Sequence, residues 1–444
     1  MYKRQVIAFF TDYITKNVDR LKSKQKKTFL KNLEQVSTVS KYYKSLSTPE
    51  IPISVFKKDN NEETTPGIDT IKHLYETHFP SHTEKKHTQY DNTKTVRKDE
   101  LWNIHKDTVS LEKVKRALKG FNSKKSPGPD NFKPIMFKHF PTDIYKHIML
   151  IYRACFYLEY TPTPWKDTKV IFIPKPGKED YNLAKSFRPI SLSNYLLKGL
   201  ERLLGWHINE MLIQFPIHTH QHGFCSEKST ESAISKTVDY IESKIMTSNR
   251  HCVGLSLDIQ AAFDSITPNT IKAALLKHGG DPQLVQWYYN YLIHRNLITT
   301  IQNDTFTASN AIGFPQGGVV SADFWKIAFN PALEIINSNL TTGFGYADDL
   351  MILRHGYKPE ASVNAIQTIL NRLINWGETC NLKFNPTKTL MMIFSSKKTT
   401  PKSTIPLKIN DQDVTTVNSI RYLGVTLDSK LSWDQHRNIT IQNA

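Results

Sequence analysis

Apolar residues return along this chain in two rhythms, and each rhythm predicts an element. From Ser110, Val114, Leu118 and their neighbours fall at helical spacing, and Gly120 supplies a stop. Ile144–Tyr157 reads as an amphipathic helix. A longer one over Asn194–Ile213 carries Leu196, Leu197, Leu200, Leu203 and Leu204 as its stripe to bury. Lys169–Pro174 reads as a short strand. In Cys252–Ile259 the residues Val253, Leu255, Leu257 and Ile259 alternate onto one face, while Gly254, Ser256 and Asp258 share the other. Asp258 therefore leaves the core side for a space kept open by two small residues. Asp348 and Asp349 stand between Phe344 and Tyr346 on one side and Leu350–Leu353 on the other, which predicts a β-hairpin with both aspartates at its tip.

The remaining stretches are more polar. Residues 1 to about 100 read as a mainly helical extension, in which Lys22, Lys24, Lys26 and Lys27 form either a solvated helix face or a nuclear-import or RNA-contacting patch. Asp59–His87 has linker composition, with a short helix around Ile71–Tyr75. Lys124–Asp130 is a rigid basic turn. His218, His220 and His222 alternate, so a strand would place all three on one face. Zinc is conceivable there, but no fourth ligand stands nearby and the composition is that of a loop.

Composition narrows the partners. The 444 residues allow a sizeable core and two or three subdomains. With 58 Lys plus Arg against 41 Asp plus Glu, the net charge of +17 points to a polyanion, nucleic acid before anionic membrane. Aromatics at 11% serve the core first and base stacking second. Cys155, Cys225, Cys252 and Cys380 form no C-x-x-C pair, which suggests a reducing, intracellular setting in nucleus or cytoplasm. No apolar run approaches a membrane span, and Asp12 cuts short the apolar start that a signal peptide would need.

An isolated Asp-Asp is ordinarily a solvated turn. Here two adjacent carboxylates sit in an apolar run and a third lies on a neighbouring strand, and such groups neutralise one another only through cations. Magnesium suits hard oxygen ligands that are shared with phosphate, and manganese can replace it. Two such ions at roughly 3.5–4 Å serve in-line phosphoryl transfer in polymerases and nucleases.

Around these carboxylates a family pattern emerges. Tyr346-Ala-Asp-Asp349 resembles the catalytic box of reverse transcriptases, and Leu257-Asp-Ile-Gln-Ala-Ala-Phe-Asp-Ser-Ile266 resembles their first aspartate box. Phe314-Pro-Gln-Gly-Gly-Val-Val-Ser321 resembles the loop and helix start that follow it. Lys169–Lys178 with Phe187–Leu192, Gln221–Phe224 with Ser229-Thr230, Asn385–Thr389 and Arg421–Asp428 are similar to segments of non-LTR retrotransposon enzymes, the jockey-like LINE group above all.

The resemblance implies roles. Asp258, Asp348 and Asp349 would bind two magnesium ions, with Asp349 the least direct and the Ile259 carbonyl contributing. Phe263 would be a steric gate against a 2′-hydroxyl, and Gln316 and Gly317 would meet the incoming nucleotide. Lys175 and Arg188 would face the triphosphate, with Lys178 an alternative to Lys175. Lys388 would protonate the leaving pyrophosphate, and Tyr422, Leu423 and Gly424 would form the primer grip. Lys198 and Glu201, a pair in the family, have the i, i+3 spacing of a surface ion pair.

Some positions depart from the pattern. Cys225 stands where the family usually has Arg, which weakens the expected grip on template. Ala322 replaces a common Pro. Pro331 falls in an expected helix, at about 3 kcal/mol if truly interior. The chain stops just past the primer grip, so the resemblance implies a fragment lacking the endonuclease and most of the thumb.

The expected fold is α+β, a right-hand polymerase with an antiparallel palm sheet and helices on one face of it. The expected divisions are a basic helical extension over 1–105, fingers over 106–230, palm over 231–395, and primer grip with the start of a thumb over 396–444; the reverse transcriptase domain as a whole is expected over about 155–428. The implied function is RNA-directed DNA polymerisation for a mobile element, with RNA template, DNA primer and deoxynucleoside triphosphates as partners and no membrane. The alternative is an impaired remnant that only binds RNA.

Overall fold

The computed structural model of the chain describes residues 55–58, 62–79, 83–84, 105–246, 251–301, 303–338, 340–397 and 403–442. The chain divides into Met1–Ser54 and Val55–Ala444, and all described residues belong to the second unit. The basic cluster at Lys22–Lys27 lies outside them.

Val170 and Phe172 point alternately into the core from a strand that spans Asp167–Pro174. That strand sits inside a five-stranded sheet in the order Thr83–Glu84, Asp304–Asn310, Arg295–Ile301, Asp167–Pro174, Phe187–Ser193. Asp167–Pro174 pairs antiparallel with Phe187–Ser193 and parallel with Arg295–Ile301. The hairpin Arg295–Asn310 thus shares a sheet with strands more than a hundred residues earlier in the chain.

The helix Ile68–His78 lies in the stretch of linker composition, yet it is built into this sheet. The Tyr75 hydroxyl lies 2.9 Å from Thr299 Oγ1, and its ring meets Phe306 edge-on at 5.0 Å. Its buried residues Ile71, Leu74 and Tyr75 supply the apolar face that short linkers lack.

Three helices pack on one another and feed the main core. Leu111–Lys119 starts at Ser110, whose side chain accepts from the Lys113 N–H, and ends at Gly120. Thr142–Tyr157 and Tyr195–Gln214 follow the expected spans closely, the latter burying Leu197, Leu200, Leu203 and Leu204. Lys198 and Glu201 on it do not form a surface pair. Glu201 is fully buried, accepts the Val319 N–H at 3.2 Å, and has its carboxyl pushed up to about 7 by burial. The i, i+3 spacing gave their proximity but not the face, and this face is turned inward.

A second five-stranded sheet runs in the order Thr415–Thr416, Leu390–Ser395, His251–Leu257, Asp349–Gly356, Thr342–Tyr346. All its pairings are antiparallel except the short edge pairing of Leu390–Met391 with Thr415–Thr416. Both faces are covered. Val253, Leu255, Leu257, Leu350, Ile352, Met391 and Ile393 join the main core, with Val363, Ile366 and Leu370 of the helix Pro359–Cys380. Cys252, Met351, Leu353, Met392 and Phe394 form a second core with Val238 and Ile241 of the helix Thr230–Ile245 and with Ile420, Tyr422 and Leu427 of the hairpin Ser419–Asp428. The expectation of helices on one face is therefore corrected. Gly254 does not keep a space open either; a Cβ there would meet Phe394 Cε2 at 2.8 Å.

Pro331 breaks no helix. Ser321–Ala328 ends at Phe329, and Asn330–Ile336 begins anew with Pro331 in its first turn, where no N–H is missed. Nor do His218, His220 and His222 form a strand. His220 Nδ1 lies 2.7 Å from Asn337 Oδ1, and His222 Nδ1 lies 2.7 Å from Ser232 Oγ. Among the described residues no helix is long and apolar enough to cross a membrane.

Candidate active site

The last pairing between His251–Leu257 and Asp349–Gly356 is Leu257 with Leu350. Continued by one residue, that register sets Asp258 across from Asp349, within cross-strand reach. Tyr346 pairs with Asp349, which leaves Ala347 and Asp348 as a two-residue loop with Ala347 at φ +59. Left-handed backbone strains an alanine, so the surroundings must hold it. Trp325 Nε1 donates to the Ala347 carbonyl at 3.1 Å. Gly223 lies flush against the turn, where a Cβ would stand 2.1 Å from Ala347 N. The His222 N–H donates to Gly345 O at 2.7 Å, and the Gly345 N–H to His220 O at 3.0 Å. The segment around Gln221–Phe224 is thus an outer rail for the hairpin.

The three carboxylates feel one another. Burial, then the charges of Asp348 and Asp258, push Asp349 up to about 6. Asp258 is raised by burial and by Asp348, against the pull of Lys388, whose Nζ is 3.9 Å from Asp258 Oδ2. Asp348 is raised by burial, opposed by its own backbone N–H and by Arg188. Asn385 sets the Lys388 turn: its N–H donates to Asp258 O at 2.9 Å, and its side chain accepts from the N–H groups of Thr387 and Lys388. Hard oxygen donors that repel one another fit a divalent cation. Among the described residues no three such side chains are gathered around one point.

A cleft of about 620 Å³ opens beside Asp348. Lys175, Arg188, Phe263, Gln316, Gly317 and Ile259 all line it. Lys178 is exposed and is not among the lining residues. Lys175 Nζ donates to Lys185 O at 2.8 Å; burial first, then Arg188, lowers its pKa. Gly317 adopts φ +111, and a Cβ on it would stand 2.8 Å from Ser191 O. Beside it the Ser191 N–H donates to Gln316 O at 2.7 Å, so the loop is stitched to the first sheet. Phe263 stacks on Trp325 at 5.0 Å. Ala322 also lines the cleft, in the first turn of its helix.

Tyr422, Leu423 and Gly424 stand apart from the cleft. Leu423 at φ +48 and Gly424 at φ +89 make the turn of their hairpin, while Tyr422 is buried in the second core, its phenol raised by burial and by the Asp349 charge. Beside Cys225, Lys228 and Lys326 are spent on backbone carbonyls, Gln221 O at 3.0 Å and Phe224 O at 3.1 Å.

The sequence reading missed Asp264. Its Oδ2 accepts from Gln316 Nε2 at 2.7 Å, and burial pushes its carboxyl up to about 7 against Gln316, Arg295 and Lys175. Arg295, also missed, is buried and donates to the carbonyls of Ile312 and Gly313 at 2.9 and 2.7 Å. A charged residue within an apolar run was the available signal for Asp264. For Arg295 and for His78, which lines the cleft from the first helix, no local signal exists.

Over 347 residues the chain is 28% identical to a probable RNA-directed DNA polymerase from transposon BS of Drosophila melanogaster, covering 75% of this chain and 37% of that protein. It is 27% identical to the RNA-directed DNA polymerase from mobile element jockey of the same species, over 74% of this chain and 36% of that one. The chain thus spans little more than a third of the length of these curated relatives. Among solved structures, apo telomerase from Candida tropicalis truncated from its C-terminal domain aligns with TM-score 0.43 and 12% identity, over 66% of this chain and 60% of that one. The reverse transcriptase (RNA-dependent DNA polymerase) family matches residues 173–427, more than half of the chain, and the chain belongs to that family.

Proposed function

We propose that this chain copies an RNA template into DNA for a non-LTR mobile element, adding deoxynucleotides to a primer 3′ end. The observation that carries the reading is that Asp258 and Asp349 fall across from one another at the ends of two paired strands, with Asp348 in the adjoining turn and the charges of Asp258 and Asp348 acting on Asp349, beside a cleft lined by Lys175, Arg188 and Phe263. Magnesium, or manganese in its place, would be held by the three carboxylates with the Ile259 carbonyl, and would supply activation of the primer hydroxyl and charge neutralisation on the departing pyrophosphate.

The chain's own groups do the rest. Lys175 and Arg188 hold the triphosphate by charge, Arg188 in the bidentate manner suited to phosphate. Phe263 occupies the volume a 2′-hydroxyl would need. Gln316, its amide tied to Asp264, and the Gly317 backbone border the nucleotide. Lys388, exposed beside Asp258, is placed to give a proton to pyrophosphate. The Tyr422–Gly424 turn steadies the primer end. The same reading puts the chain where its template is, in nucleus or cytoplasm.

Primer extension on an RNA template with the four deoxynucleoside triphosphates and magnesium tests it. Extended product is expected. A folded chain that makes no single addition at saturating primer-template would reject the reading in favour of RNA binding alone.

A further inference from the structure

Phe224 is a large apolar residue that the fold leaves largely uncovered. It is 41% exposed, and it lines the same cleft as Phe263 and Asp348. Its backbone stands at φ +60, left-handed, a conformation that bulky residues rarely adopt. Two contacts hold it there. Gly223 is pressed against the Ala347 turn, and the Phe224 carbonyl accepts from Lys326 Nζ at 3.1 Å. Lys326 is only 7% exposed and is charge-paired with Asp323 at 2.6 Å, so a nearly buried cation is committed to one backbone carbonyl. Strain that is held by such an arrangement marks a functional position more often than a packing one.

The ring shows what is positioned. Phe224 meets Phe263 edge-on, with centroids 6.0 Å apart and planes at 88°, while Phe263 stacks on Trp325 at 5.0 Å and 25°. Phe263 thus has Trp325 on its face, Phe224 edge-on and the buried Phe314 ring tilted beside it at 6.2 Å, and of these three supports Phe224 is the exposed one that lines the cleft. A steric gate discriminates only if its ring cannot swing aside when a larger sugar enters.

We propose that Phe224, latched by Lys326, is a second specificity determinant of the nucleotide site: it buttresses Phe263 so that ribose is excluded. The proposal rests on the reading of Phe263 as the sugar gate. Phe224 acts through Phe263 and is a positioning residue.

The test is single-nucleotide incorporation with deoxy- and ribonucleoside triphosphates, read as the ratio of kcat/KM for the two sugars. A general loss of structure lowers both and leaves the ratio alone. Phe224→Ala should reduce the preference for deoxynucleotides about tenfold, the usual scale for one lost apolar contact in a pocket. Phe224→Tyr, which keeps the ring, should retain it. Lys326→Met combined with Asp323→Asn, which leaves no buried charge alone, should shift the ratio in the same direction as Phe224→Ala. In the Phe263→Val background, Phe224→Ala should add nothing. If Phe263→Val lowers the ratio and Phe224→Ala does not, or if the two effects multiply in the double variant, the buttress is refuted and the gate stands. If Phe263→Val itself leaves the ratio at the parent's value, the gate reading fails and the buttress with it.

Discussion

The indole nitrogen of Trp325 donates to the carbonyl of Ala347 at 3.1 Å, and the same indole lies under the ring of Phe263 at 5.0 Å. One buried side chain thus ties the turn that carries Asp348 to the aromatic floor of the cleft. The Asp348 turn and the Phe263 ring therefore share one buried support.

Asp258→Asn and Asp348→Asn should each lower nucleotide addition by about 10³-fold or more, since each removes several kcal/mol of metal-borne charge stabilisation. Neither should lower the melting temperature without metal, because burial already disfavours both charges. Magnesium should raise the melting temperature of the parent and not of Asp348→Asn. Single-turnover incorporation and thermal unfolding with and without magnesium check this; a parent indifferent to magnesium in both would contradict it.

Gly317→Ala should weaken the nucleotide site more than the fold. At φ +111 a Cβ is strained by about 1–3 kcal/mol. It would also press on Ser191 O, beside the bond that holds the Gln316 loop. The expected result is a raised KM for triphosphate with a modest drop in melting temperature. An unchanged KM would detach this loop from nucleotide binding.

Glu201 makes stability depend on pH. Its carboxyl titrates at about 7 in the fold, raised by burial above an ordinary value of 4.5. A carboxyl with a raised folded pKa binds its proton more tightly when folded, so stability falls as pH rises from 4.5 through 7. Glu201→Gln should therefore be more stable than the parent by about 3 kcal/mol at pH 8 and by less than about 1 kcal/mol at pH 5. Denaturant unfolding at the two pH values measures the difference. Equal effects at both would show that the Glu201 charge is compensated.

Nucleic-acid binding should depend steeply on salt and little on sequence, since a net charge of +17 is spread along the chain. Raising salt from about 50 to about 200 mM should weaken binding to an unrelated RNA at least tenfold. A titration of fluorescence anisotropy reads this directly, and a flat salt response is the result that would count against it.

The carboxylates were legible because local rules governed them. Alternation fixed the strand that ends at Asp258, and a charged doublet between two apolar runs located the hairpin tip. Lys175, Arg188, Phe263 and Gln316 were picked out by resemblance, and the structure brings them to one cleft. What stayed hidden depends on distant partners. Nothing near Arg295–Asn310 announces that it will pair with Asp167–Pro174, and nothing near Glu201 says which side of its helix faces inward. Gly254 was misread for the same reason: its smallness answers Phe394, a residue on another strand.

That long-range pairing bears on how the chain is made. Asp167 accepts from the Asn296 side chain 129 residues later, and on that side the strand Asp167–Pro174 pairs with the Arg295 strand. As the polypeptide emerges from a ribosome, Asp167–Pro174 and Phe187–Ser193 can close as a local hairpin, but one edge stays bare until the Arg295 strand has been synthesised. Closing so large a loop is slow, and a bare edge invites pairing with another nascent chain. The sheet that carries Lys175 and Arg188 at its edge is therefore completed only after the Asp258 strand has emerged, and before the hairpin that carries Asp348 and Asp349.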